Sequence, residues 1–169
     1  KFAYGPIIAS GKNACVLHYL QNDQACKKGD LLLMDVGACY ANYNADLTRT
    51  VPVSGKFSRR QKQVYQGVLR VLKNSITGAT AGKKIKQWVA EAHEMMNEEL
   101  VRLKLLSLKE VKNQKPNNPA CRKYFMHGLG HSLGLDVHDV SNEQKSFANG
   151  AVFTVEPGIY IPDEGIGIR

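Results

Sequence analysis

The chain has 169 residues, of which 43% are hydrophobic, and this is enough for one domain with a sizeable core. It contains no run of about eighteen apolar residues and no signal-peptide pattern at its start, so the sequence predicts neither a membrane span nor export and favours the cytoplasm. The formal charge of +8 is spread over many segments without interleaved aromatic residues, which indicates solvated faces and no nucleic-acid partner.

The first part of the chain predicts short strands joined by tight connections. Gly5, Pro6 and a turn at residues 11–13 interrupt its apolar runs. His18 lies in the segment CVLHYL, where a lone strand histidine is more often a hydrogen-bonded structural residue than a ligand. The four cysteines form no CxxC pair, which favours reduced thiols.

Two aspartates occupy places that stability alone does not favour. Asp35 closes the apolar run Leu31 to Met34, which predicts a buried strand, and Asp46 opens a second strand-like segment after a turn near Tyr40 and Ala41. If the strands pair as a hairpin with the aspartates opposite each other, their Cβ atoms lie roughly 4.5–5.5 Å apart. Divalent cations between the carboxylates would relieve their repulsion, and Thr48 on the same face could support them.

Two helices follow. Ser58 and Gln61 form a capping box for the first helix, which is predicted to end near Gly78, and an apolar stripe from Ile85 to Leu103 predicts the second. His93 lies off this stripe and is expected to be exposed. Residues 107–122 carry the weakest pattern and indicate a lid or a mobile surface connection.

Three histidines, His127, His131 and His138, are concentrated in the stretch YFMHGLGHSLGLDVHDV. The spacing of the first two resembles a zinc-binding helix, but Gly128 and Gly130 disfavour a helix and the HExxH glutamate is absent. The glycines more plausibly let the backbone approach another segment closely.

The stretch AVFTVEPGIYI predicts a buried strand with Thr154 and Glu156 on one face. A buried glutamate again requires a cation or donors. Asp35, Asp46, Glu156 and a histidine from HGLGH would together suit hard divalent ions such as Mn²⁺, with Co²⁺, Fe²⁺ or Zn²⁺ also possible. Two such ions sharing a carboxylate are the recurring arrangement for two-metal hydrolysis.

Four segments in order, LMDVGACYANYNADLTRTVPVSGKF, HGLGHSLGLDVHDV, TVEPGIYIP and GIGIR, closely resemble the catalytic domain of the proline-specific metallopeptidases, aminopeptidase P and prolidase. The resemblance implies an α+β pita-bread fold, with a curved, mostly antiparallel sheet and helices on its outer face. It also implies that residues 1–169 are a partial catalytic domain without the family's amino-terminal domain and final carboxy-terminal strand.

The resemblance also implies roles for individual residues. Metal ligation falls to Asp35 on one ion, Asp46 bridging both, and His131 and Glu156 on the other. The expected catalytic and substrate-side residues are His127, His138 and Glu156, with His18 and Arg169 also contacting substrate. The implied nucleophile is a hydroxide between two divalent ions, with Mn²⁺ favoured by the donor chemistry, and Glu156 can accept the nucleophile's proton.

The family's fifth ligand, a second bridging glutamate, comes two residues after the arginine matched by Arg169. We therefore expect this segment alone to bind metal weakly and to have little activity. The reaction implied for the longer protein is cleavage before a proline at the second position of a peptide, with prolidase as the nearer alternative and a non-catalytic peptide-binding module as the more distant one. A homo-oligomer is expected for the full-length protein.

Overall fold

The computed structural model describes residues 1–140 and 146–169. Its strands are β1 (Ile7–Ser10), β2 (Leu31–Val36), β3 (Cys39–Tyr40), β4 (Tyr43–Asn44), β5 (Leu47–Pro52), β6 (Ile159–Ile161) and β7 (Ile166–Ile168). The helices are α1 (Arg59–Gly78), α2 (Ile85–Arg102) and the short α3 (Leu108–Lys112), with 3₁₀ turns at Gly11–Cys15, Ala120–Lys123 and Pro162–Glu164.

The central sheet has the order β1-β2-β5 and is antiparallel throughout. Between β2 and β5 the small β3–β4 hairpin turns at Ala41 and Asn42, both with positive φ. The turn is one residue later than expected, and this shifts the register by two. Asp35 therefore pairs with Thr48, so the prediction that Asp35 and Asp46 lie directly opposite each other was wrong.

Helices α1 and α2 confirm the sequence prediction. Ser58 caps α1 with a reciprocal capping box to Gln61, and both helices pack over one core with β2, β6 and β7. That core contains Trp88 and Leu100 from α2 and Leu31 from the sheet, all nearly inaccessible. Burial of these large side chains is what fixes the helices against the strands.

Several local expectations were wrong. Residues 16–20 form no strand, and His18 is exposed rather than held on one. Residues 107–122 contain more regular structure than expected, namely α3, with its own capping box from Ser107 to Glu110, and a 3₁₀ turn; that they act as a lid or a mobile surface connection stays a prediction. His93 is partly buried, with its ring edge-on to Phe125 at a centroid distance of 6.0 Å.

The segment around Thr154 is extended but is not a regular strand. It joins the HGLGH segment through separate backbone bonds, from Thr154 N–H to the His131 carbonyl and from Glu156 N–H to the Leu129 carbonyl, each 2.8 Å. The HGLGH segment forms no helix. A Cβ at Gly130 would lie 1.9 Å from the Thr154 carbonyl oxygen, which confirms that glycine is there for close approach.

No helix among the described residues combines the length and the apolar character that crossing a membrane requires.

Candidate metal centre

Three carboxylates reach one region from three different segments. Asp35 lies near the end of β2, Asp46 directly precedes β5, and Glu156 lies on the extended segment beside HGLGH. Gly37 allows the first two segments to meet, because a Cβ there would lie 2.0 Å from the Ala45 carbonyl oxygen. The β2–β5 connection can therefore fold tightly enough to present both aspartates to one side.

The His131 ring lies between two of these carboxylates. Its Nε2 is 3.4 Å from Asp46 Oδ2 and 3.2 Å from Glu156 Oε1, while Nδ1 donates to the Ser132 carbonyl at 2.9 Å. Hydrogen bonds to Asp46 and then Glu156 raise the pKa of His131 to about 10. Without a metal, we therefore expect the ring to be an imidazolium at neutral pH, whose single positive charge is shared between the two carboxylates.

The two acids respond to the same ring. Burial alone would raise the pKa of Asp46 and of Glu156, but the hydrogen bonds with His131 reverse this and lower both pKa values. Thr154 adds to the effect at Glu156, because its hydroxyl donates to Oε1 at 2.8 Å. The Thr154 hydroxyl also accepts from the His131 backbone N–H at 3.0 Å. One threonine thus aligns the histidine and the glutamate.

Asp35 is held by a different pair of groups. Its carboxylate accepts from the Arg169 guanidinium and from the Tyr4 hydroxyl, and Tyr4 lies also 3.2 Å from Asp46 Oδ1. Burial, the largest influence, leaves the pKa of Asp35 raised in spite of these partners. Burial and the two neighbouring aspartates raise the pKa of Tyr4, so Tyr4 is a neutral donor between two acids.

His127 belongs to a second hydrogen-bonded chain. Its Nδ1 lies 2.8 Å from the Gly128 carbonyl and its Nε2 lies 2.8 Å from the Tyr160 hydroxyl. Since the carbonyl can only accept, Nδ1 carries the proton and Nε2 accepts from Tyr160. Burial lowers the pKa of His127, which agrees with this neutral form, and raises the pKa of Tyr160 to about 12.

Arg169 connects the hydrogen bonds around Asp35 with those around His127 and Tyr160. Its guanidinium contacts Asp35, the Thr48 hydroxyl at 3.2 Å and the Tyr160 hydroxyl at 3.4 Å. Its side chain is 7% exposed, so it is turned to protein groups, and its predicted contact with substrate stays a prediction. Thr48 was expected to support the aspartates and instead accepts from Arg169.

The two other histidines predicted to contact substrate, His138 and His18, lie in different surroundings. The ring of His138 is exposed and lies against that of His131, with centroids 4.0 Å apart. His18 is also exposed, and within residues 1–140 and 146–169 it makes no recorded hydrogen bond, ion pair or ring contact. The structure therefore places His138 beside the centre, whereas the substrate-side role of His18 stays a prediction.

The donor chemistry fits divalent ions, although the side chains are not arranged around one. Three carboxylates and an imidazole nitrogen are suitable ligands for Mn²⁺ and related metals. Asp46, His131 and Glu156 would provide the donors of one ion, and Asp35 and Asp46 those of another. As placed, however, the described residues include no group of three or more His, Cys, Asp or Glu side chains that could hold an ion. Hydrogen bonds with Arg169 and Tyr4 and the His131 proton occupy these donors.

A cavity of about 690 Å³ adjoins the centre. Asp46, Glu156 and Arg169 line one end, and apolar side chains of α1, including Val68 and Leu72, line another part. The charged centre thus borders an apolar space rather than open solvent alone.

Sequence reasoning did not find Tyr4 or Tyr160. Tyr4 stands in a short apolar segment far from either aspartate, and Tyr160 occupies what reads as an ordinary core position in GIYIP. For Tyr160, the available signal was that a tyrosine at a buried position needs a hydrogen-bond partner for its hydroxyl. Pairing it with His127 required the fold.

Comparison with known proteins gives consistent results across sequence and structure. The sequence model of the family described as Metallopeptidase family M24 matches residues 1–169. The Xaa-Pro aminopeptidase of Haemophilus influenzae is 42% identical and aligns with 99% of this chain and 41% of its own length. Human Xaa-Pro aminopeptidase 3 is 37% identical, with coverages of 99% and 34%.

Solved structures match as well. A zinc-substituted Escherichia coli aminopeptidase P in complex with product superposes with a TM-score of 0.89 at 41% identity, covering 99% of this chain and 40% of that one. This similarity confirms the predicted pita-bread fold. The chain spans about two fifths of the length of the bacterial Xaa-Pro aminopeptidases and of this solved structure.

Proposed function

Because the chain belongs to metallopeptidase family M24, we propose that it is the catalytic part of an Xaa-Pro aminopeptidase. The proposed reaction is hydrolysis of the bond between an amino-terminal residue and a following proline, with two divalent ions, Mn²⁺ by preference, as cofactors. The similarity to named Xaa-Pro aminopeptidases over nearly the whole chain supports this choice.

One observation carries the proposal beyond family membership. Carboxylate oxygens of Asp46 and Glu156 lie within 3.4 Å of Nε2 of His131. The three residues come from three separate segments of the chain. Burying two acids and an imidazole together is costly for a fold that needs only stability. The same donor set is well suited to hold a divalent ion between Asp46 and Glu156 once the His131 proton has left.

The protein's own residues can then perform the remaining work. When bound, the ions would polarise the scissile carbonyl and lower the pKa of water. Glu156, a carboxylate with a lowered pKa, would accept the proton of the attacking water. His127 and His138 would hold the substrate and stabilise the developing oxyanion, with His18 and Arg169 as further substrate contacts.

Recognition of proline follows from its chemistry. The bond before proline lacks an N–H, so the site gains nothing from a backbone acceptor and should rely on shape, apolar contact and imidazole donors. The apolar walls beside Asp46 and Glu156 are consistent with such recognition. We further propose a cytoplasmic location and a homo-oligomer for the full-length protein, acting on peptides with proline at the second position.

Two alternatives follow from the same residues. A prolidase would use the same centre on Xaa-Pro dipeptides. A non-catalytic module would keep the fold and bind peptides without cleaving them; the retained Asp35, Asp46, His131 and Glu156 argue against it, because such a module has no need of acidic metal ligands.

The test measures Mn²⁺-dependent release of the amino-terminal residue from an Xaa-Pro-Yaa peptide. The protein used extends beyond Lys1 and Arg169 to the length of the relatives. Asp46→Asn should abolish the activity, since it removes a charged ligand while keeping the side-chain volume. Asp163→Asn, the same change at an exposed aspartate, is the matched control and should keep full activity.

The outcomes separate the three functions. Cleavage of Xaa-Pro-Yaa that depends on Asp46 supports the aminopeptidase. Cleavage restricted to Xaa-Pro dipeptides supports prolidase. A folded protein that cleaves neither with any divalent metal would reject both and leave the binding module.

A further inference from the structure

Asn44, the last residue of β4, contacts the loop between His131 and His138 through both its backbone and its side chain. Its backbone N–H donates to the Gly134 carbonyl at 2.9 Å. Its Nδ2 donates to the Leu135 carbonyl at 2.6 Å and lies 3.3 Å from the Gly134 carbonyl. A single residue thus binds two consecutive carbonyls that are about ninety positions away in sequence.

The same loop is also tied from within. The Leu135 N–H donates to Asp139 Oδ2 at 3.2 Å, and the Asp139 N–H donates to the Ser132 carbonyl at 3.1 Å. Leu135 is therefore fixed on both sides, with its N–H on Asp139 and its carbonyl on Asn44. A Cβ at Gly134 would lie 2.1 Å from Asp139 Oδ2, so the loop closes tightly on that carboxylate.

Apolar packing contributes little to this loop. The Leu135 side chain is 61% exposed, and Asp136 beside it is exposed as well. With little buried apolar surface, the position of the loop depends on its hydrogen bonds. Those made by Asn44 are the recorded links between this loop and the β3–β4 hairpin.

Both ends of this link lead to the candidate metal centre. Asn44 precedes Asp46 by two residues, and the intervening Ala45 N–H is fixed to the Ala38 carbonyl at 2.8 Å. On the other side, the loop carries His131, whose Nε2 is 3.4 Å from Asp46 Oδ2, and His138, whose ring lies against that of His131 at an interplanar angle of 38°. The contacts form a closed circuit from Asp46 through Asn44 and the loop back to His131.

We propose that Asn44 is a positioning residue that, together with the Thr154 contacts of His131, sets where His131 and His138 lie relative to Asp46. Its amide acts through the loop carbonyls and touches neither histidine ring. The consequence for catalysis rests on the proposed function, but the consequence for the two rings does not.

The first test observes the rings directly in the metal-free 169-residue protein. Histidine ring NMR signals of this chain are few, since it has five histidines, and each is assigned by a His→Gln variant. Asn44→Ala should shift the signals of His131 and His138 and weaken the NOE between their rings. The signals of His18 and His93, which lie on other segments, should not move.

A paired substitution provides the control. Asn44→Asp replaces the amide donor with an acceptor that faces two carbonyls, so it should move the same two rings further. Asn42→Asp makes the same chemical change two residues away in the hairpin turn, where aspartate tolerates the positive φ, and should leave both rings unmoved.

Steady-state kinetics of the longer form provides the second test. Asn44→Ala should lower kcat roughly tenfold, in line with the loss of one or two hydrogen bonds, and change KM little. Ring signals that stay in place in both Asn44 variants would overturn the proposal, as would shifts spread over all five histidines, which would indicate general loss of structure. If the unsubstituted enzyme is inactive, the proposed function fails while the NMR result still decides the role of Asn44.

Discussion

At the scale of single residues, the buried carboxylates of the centre are stabilised by three different kinds of partner. His131 provides a proton, Arg169 a permanent positive charge and Tyr4 a neutral donor. Each compensates for the burial of a carboxylate that would otherwise be costly. Asp35 pairs with Arg169 and Asp46 with His131, and Tyr4 links the two pairs because its hydroxyl lies near both aspartates.

The His131 proton has a measurable effect on stability. The folded-state pKa of about 10 lies above the ordinary value near 6.5 for an unfolded chain. The resulting stabilisation is therefore complete below about pH 6.5 and is lost as the pH rises through the folded-state pKa. We predict that the melting temperature of the metal-free protein falls between pH 7 and pH 10, and that His131→Gln flattens this fall.

The measurement is thermal unfolding in the presence of a chelator, which gives the slope of melting temperature against pH for the unsubstituted protein and for His131→Gln. His18→Gln, at an exposed position, is the control and should keep the slope of the unsubstituted protein. Titrating groups that do not contact His131 contribute equally to all three proteins and cancel in the comparison, whereas Asp46 and Glu156 change together with the ring. Equal slopes for His131→Gln and the unsubstituted protein would show that the ring is not charged in the metal-free state.

At the scale of elements, the two long helices are joined by a buried acid. Glu99 on α2 is 6% exposed and accepts two bonds of 2.7 Å from Arg70 on α1, with Arg102 at 3.4 Å. Glu99 packs against α1 at Gly67, where a Cβ would lie at the ordinary contact distance of 3.5 Å from Glu99 Oε2. The contact holds the helix pair that backs the sheet.

Glu99→Ala should destabilise the protein by about 2–3 kcal/mol, because it removes a charged pair of hydrogen bonds and leaves an unfilled space. For a chain of this size, that lowers the melting temperature by roughly 5–10 °C. Glu98→Ala removes a neighbouring acid from the exposed side of the same helix and should change the stability by less than about 0.5 kcal/mol. Similar melting temperatures for the two variants would contradict a stabilising contact between Glu99 and Arg70.

Which elements could be read from the sequence depends on how local their causes are. The capping box at Ser58 and the apolar stripe of α2 are local patterns, and both helices lie where these patterns predict. The register of β2 and β5 depends on which residues of the hairpin adopt positive φ. A turn moved by one residue changes the residue opposite Asp35 from Asp46 to Thr48. The local signal for the observed turn is Asn42, since asparagine adopts positive φ more readily than tyrosine does.

The candidate site also contains residues that the sequence reveals and residues that only the fold reveals. The acids and His131 are recognisable because buried charges need partners and because their segments resemble those of a known family. Tyr4, Tyr160 and Asn44 are not recognisable, because their roles arise from contacts across thirty-one, thirty-three and ninety residues of sequence. Only the folded chain brings them to the groups they serve.

At the scale of the whole molecule, the balance of charge in the centre bears on metal binding. Within the described residues the Asp35 carboxylate is already neutralised by Arg169, and no group of three donors is close enough to hold an ion. The family resemblance implies a further ligand two residues beyond Arg169, at the end of the chain that lines the cavity beside Asp46. From the resemblance, we expect residues 1–169 alone to provide only part of the ligands of a second ion.

We predict that calorimetric titration of the 169-residue protein with Mn²⁺ gives weak binding, with a Kd at least about a hundredfold higher than that of the longer form. A hundredfold change corresponds to about 2.7 kcal/mol, which is the size expected for one lost carboxylate ligand with its charge. Asp46→Asn in the longer form should weaken binding of both ions, because this carboxylate is placed between the two donor sets, whereas Asp163→Asn should leave binding unchanged. Tight binding of two ions by the 169-residue protein would show that Asp35, Asp46, His131 and Glu156 suffice, and that Arg169 releases Asp35 when metal arrives.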